Sequence, residues 1–109
     1  MSIEYNAILI IAVNENDIDW DALQLTNEQQ EELVEKWLID SDSWYGGEHF
    51  FGEAFDSVVD AGQYLDITEI FDDKNYFKFK QKIIQTELAK CGLDVPLNKI
   101  KLYLICQVY

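Results

Sequence analysis

Two apolar runs at opposite ends of the chain constrain its architecture most. Residues 5–13 read YNAILIIAV, apolar on both alternating faces, as expected of a strand covered on both sides or lying inside its sheet. Residues 99–109 read KIKLYLICQVY. Here Ile100, Leu102, Leu104, Cys106 and Val108 form a continuous apolar face, while Lys101, Tyr103, Ile105, Gln107 and Tyr109 form a mixed one. The expected arrangement places these N- and C-terminal strands side by side and central in one sheet. With 109 residues there is room for a single domain, 1–109, and an apolar fraction of 49% is too high for an acidic disordered tail.

The segment between the two runs carries helical signals. Thr26 and Gln29 form a capping box, followed by Leu33, Val34, Trp37 and Leu38 at helical spacing, which predicts a helix over 27–39. Ala54, Phe55, Val58 and Val59, opened near Gly52 and closed by Gly62, predict a shorter helix. The longest helix starts after Asp72-Asp73. It places Phe77, Ile84, Leu88 and Cys91, with Tyr76 and Ile83, along one face and stops at Gly92, with Pro96 preventing continuation. In residues 64–71 β-branched residues and alternation favour a strand, while Asp66 to Glu69 also fits a capping box; 43–51 read as an edge strand or a loop. With both as strands, the order is that of a split βαβ sandwich of ferredoxin-like type. The fold class is thus α+β, a mostly antiparallel sheet with two main helices on one face.

Charge divides the chain in two. Residues 1–73 hold nineteen acids and one base, Lys36, a net −18; residues 74–109 hold seven lysines and two acids, a net +5. There is no arginine, so the planar fork that reads phosphates and guanines bidentately is missing. Direct binding to nucleic acid or to an anionic membrane surface is therefore disfavoured, and the field attracts basic proteins. Met1–Tyr5 has no basic region, Ala7–Val13 lacks the flanks of a signal peptide, and two cysteines are too few for a disulfide scaffold. These features predict a cytoplasmic protein with reduced thiols, a single Cys91–Cys106 bridge being the alternative.

Nothing in the sequence assembles a catalytic motif. His49 is the only histidine and has aromatics but no cysteine beside it; Cys91 sits at a helix C-terminus, where the dipole disfavours a thiolate. Asp17, Asp19, Asp21 and Glu28 stand at positions one, three, five and twelve of a segment that resembles an EF-hand calcium loop. Ala22 replaces the glycine of its sharp turn, and Gln24 stands where that loop carries an aliphatic residue. The segment reads as a solvated acidic connector, and the expectation is a non-enzymatic protein with no metal and no cofactor.

The acids themselves are patterned. Glu28, Glu31, Glu32 and Glu35 recur at three- and four-residue steps, forming a ridge with Cβ neighbours about 5–6 Å apart. Glu53, Asp56 and Asp60 are expected to do the same on the short helix, with Asp17, Asp19, Asp21, Asp40, Asp42 and Glu48 extending the rows. Like charges at this spacing repel by a few tenths of a kcal/mol per pair, so stability alone would have interleaved lysines. Trp44 and Tyr45, beside Gly46-Gly47, are candidates for an apolar anchor. The expected function is occupancy of a basic groove on a nucleic-acid-handling partner, by phosphate mimicry. In size and charge the chain resembles phage-encoded inhibitors of host defence and immunity proteins that neutralise nuclease toxins. A further alternative is a self-associating scaffold in which the lysine-rich last helix meets the acidic helices of a neighbouring copy.

Overall fold

In the computed structural model, residues 5–40, 48–58, 64, 66–68 and 74–108 are described. Four strands, β1 (Tyr5–Asn14), β2 (Leu38–Asp40), β3 (His49–Val58) and β4 (Ile100–Val108), form one antiparallel sheet in the order β2-β3-β1-β4. Among the described residues three helices, α1 (Trp20–Leu23), α2 (Asn27–Trp37) and α3 (Lys74–Lys90), accompany it, with 3₁₀ turns at Glu15–Asp17 and Leu97–Lys99. In chain order, α2 lies between β1 and β2, which flank β3; α3 lies between β3 and β4, which flank β1.

The two-sided apolarity of β1 is used on both sides. Ile11 and Val13 join Phe51, Ile100, Leu33 of α2 and Ile84 and Leu88 of α3 in the larger core cluster, so both main helices pack on that face. Ile10 and Ala12 point the other way, into a smaller cluster with Phe50 and Ile105. The two chain ends pair as expected, Tyr5 opposite Val108 through Val13 opposite Ile100. Of these two strands only β1 is internal, however: β4 is the last strand of the described sheet, which corrects the expectation that both terminal strands are central.

The apolar face of β4 is correspondingly interrupted. Ile100 is fully buried, but Leu104 is 70% exposed and Cys106 is exposed. Leu9, the β1 partner of Leu104, is only 6% exposed, so cover is lost across the outer strand rather than along it. Gln81 of α3 donates to the carbonyls of Leu97 and Ile100, which holds the start of β4 against the helix.

Helix ends follow local chemistry. In the capping box, the Gln29 N–H donates to Thr26 Oγ1 at 3.2 Å and the Thr26 N–H to Gln29 Oε1 at 2.9 Å. The helix stops at Trp37, two residues early, because Leu38 and Ile39 pair with Phe51 and Phe50 as β2. At the end of α3, Leu93 N–H bonds to the Leu88 carbonyl and Gly92 N–H to that of Ala89, with Gly92 at φ 90°. This is the paired-bond cap that glycine favours. Phe77, Ile84, Leu88 and Cys91 face inward as expected, whereas Tyr76 and Ile83 turn out to solvent.

The predicted short helix near Gly52 is instead part of β3. An added Cβ at Gly52 would collide with the Ile11 carbonyl and Ala12, so this glycine permits close strand approach rather than opening a helix. Ile10 pairs with Ala54 and Leu9 with Asp56, leaving Phe55 as the extra residue of a β-bulge. The bulge breaks strict alternation and mimics helical spacing. Residues 59–62 lie outside the described residues, as do 43–47 and most of 64–71, where the Thr68 N–H donates to Asp66 Oδ1.

Candidate acidic interaction surface

Every carboxylate whose burial is described is at least partly accessible, and no buried polar or charged residue occurs among the described residues. The acids differ in whether a neighbour neutralises them. Asp17 sits in the first 3₁₀ turn, 3.8 Å from Lys99; Glu32 is 3.1 Å from Lys36; Glu53 is 3.8 Å from Lys80. Glu48 accepts a hydrogen bond from the Asn14 side chain at 2.6 Å. Asp19, Asp21, Glu28, Glu31 and Glu35 form no ion pair with any described residue. They belong to one stretch, 19–35, carried by α1 and the outer side of α2. Of the expected surface, these five are the described acids of α1, its cap and α2 that carry no ion pair.

The remaining expected residues separate. Glu53 and Asp56 are on a bulged strand rather than a helix, so the second helical ridge does not form; Glu53 points to the helix-bearing face and meets Lys80. Asp42, Trp44, Tyr45 and Asp60 lie outside the described residues. The segment from Asp17 to Glu28 is a turn, a short helix and the start of α2 rather than one open loop. Among the described residues no three metal-ligating side chains converge.

One cluster was not legible in the sequence. His49 Nδ1 lies 3.3 Å from Glu15 Oε2, and its Nε2 lies 3.0 Å from Asp40 Oδ1. Carboxylates only accept, so both contacts are hydrogen bonds when both ring nitrogens carry protons. The contacts join the first 3₁₀ turn to the β2 and β3 ends, where Asp40 and His49 are cross-strand partners. That pairing of β2 with β3 was the missing information.

Of the aromatics in the acidic half, Trp37 packs against the core as its periodicity predicts. Trp20 is 40% exposed and meets Phe51 edge-on, with ring centroids 5.6 Å apart. It stands between Asp19 and Asp21 and supplies apolar surface within the acidic stretch. The cysteines are free and far apart in environment: Cys91 is buried, and burial with the Glu32 carboxylate nearby pushes its thiol pKa up, away from nucleophilic use. No helix among the described residues is long and apolar enough to cross a membrane. No protein-family model, curated protein or solved structure matches the chain.

Proposed function

We propose that this chain is a non-enzymatic acidic binding protein that occupies a basic surface on a nucleic-acid-handling partner and blocks it. The observation that supports this reading is the run of five carboxylates over 19–35 that form no ion pair with any described residue. On α2 the Glu28, Glu31 and Glu35 side chains repeat at three- and four-residue steps, a row of negative charge comparable to successive phosphates. Such a row meets lysine and arginine side chains by steered association and by release of the partner's counterions. Trp20 within the same stretch gives the contact an apolar anchor. The free thiols of Cys91 and Cys106 suit a reducing cytoplasmic setting.

The test is a capture experiment from the native host with wild-type bait and with Glu28→Gln/Glu31→Gln/Glu35→Gln bait. The expected result is a basic nucleic-acid-binding protein held by the first bait and lost by the second. Excess DNA or RNA should displace it, and raising salt should weaken it. A partner held equally by both baits and at all salt concentrations would refute the reading. A nuclease held tightly in the presence of excess nucleic acid would point to an immunity protein that binds beside the catalytic centre.

A further inference from the structure

The outer side of α3 carries what the outer side of α2 lacks. Phe79 is 62% exposed, and with Lys82, Ile83, Thr86 and Glu87 it lines a shallow groove of about 320 Å³. These residues recur at helical steps of three and four on the side away from the buried Ile84 and Leu88. Lys78 and Lys82 form no ion pair with any described residue. On α2 the counterpart is Val34, 55% exposed, between Glu31 and Glu35. One helix thus offers an apolar centre bordered by lysines, the other an apolar centre bordered by carboxylates.

Within one chain these surfaces cannot meet. Leu33 of α2 and Ile84 and Leu88 of α3 share one core on the same sheet face, so the opposite sides of both helices are turned away from the sheet. We propose that two copies of this chain pair helix layer to helix layer about a two-fold axis, α2 of each copy lying along the α3 groove of the other. A two-fold contact is self-complementary, so each acidic-to-basic match is made twice and the assembly closes as a dimer. The two helices span about 16 Å and 25 Å and present a layer roughly 20 Å across. That area is at the small end of specific interfaces, and the dimer is weak. At about 0.15 M salt the Debye length is about 8 Å, so matched charges at the contact act while the net negative charges of the distant faces are screened.

This inference concerns the chain with itself and does not rest on the proposed partner. Sedimentation equilibrium of the purified protein tests it, at concentrations up to about 1 mM. The expected result is a monomer–dimer equilibrium at about 0.15 M salt that weakens roughly tenfold at about 1 M salt. Lys78→Glu/Lys82→Glu should be monomeric, and so should Glu31→Lys/Glu35→Lys, each with a wild-type circular dichroism spectrum. An equimolar mixture of the two variants should dimerise again, because each then offers the charge the other needs on both helices. A wild-type monomer throughout, a dimer indifferent to salt, or a mixture that remains monomeric would overturn the proposal. So would dimerisation of Glu31→Lys/Glu35→Lys at wild-type strength, which would indicate pairing through α3 alone.

Discussion

The two main helices rest on the same apolar cluster and oppose each other in charge. α2 buries Leu33 and carries four glutamates and one lysine; α3 buries Ile84 and Leu88 and carries five lysines, Lys74 and Lys90 at its two ends included, and a single glutamate. Their inner sides are interchangeable in kind, because burial asks only for apolar volume. Their outer sides differ because water accepts either sign. The comparison separates what holds the domain together from what is left for recognition.

Its strongest test is in the core. Leu33→Ala and Leu88→Ala should each cost about 2–5 kcal/mol in urea unfolding, since both residues are almost fully buried in one cluster. A much smaller cost for Leu33 would show that α2 is attached more loosely than α3. Gly52→Ala comes next, at roughly 1–3 kcal/mol destabilising, because the new methyl would meet the backbone of β1. A helix at this position would have been stabilised by the same change, so the sign alone decides between them. Thr26→Ala removes the α2 cap and should cost about 1 kcal/mol.

Smaller effects address the outer sides. Glu31→Gln relieves repulsion along the ridge and should raise stability by a few tenths of a kcal/mol at low salt, while weakening capture of a basic partner. Were stability to fall instead, the ridge would have a structural role. The smallest expected effect is alkaline. Burial, with the Asp17 and Glu48 charges, raises the Tyr103 pKa above that of a free phenol. The unfolded chain therefore releases this proton first, and the contribution, full below about 10, is lost as pH rises from there through the raised value of the folded state. Tyr103→Phe should flatten the fall in stability above that pH, as measured by urea midpoints across an alkaline series.

Legibility followed range along the chain. Both parts of the Thr26–Gln29 box and the Gly92 cap connect residues a few positions apart, and both were readable. The strand β3 was misread because the bulge at Phe55 displaces its periodicity, and a bulge is visible only when the partner strand is known. Leu104 stands on the apolar face of residues 100–108 yet is exposed, because nothing local records that its strand is the last one of the described sheet. The acidic stretch was legible as composition and as a ridge on α2. Which of its described members are ion-paired was not, since Lys99 reaches Asp17 and Lys80 reaches Glu53 across large sequence separations.

The sequence by itself determined the class of fold, the apolar strands at both ends, the caps of the two main helices and the division into an acidic and a lysine-bearing part. These depend on periodicity, on side chains bonding to nearby backbone, and on formal charge. Only the tertiary structure decided the strand order, the identity of β3, the place of β4 as the last strand of the described sheet and the ion pairs that silence some acids. Each of those is a contact between residues remote in the chain, and its outcome depends on which surfaces compete to be buried together.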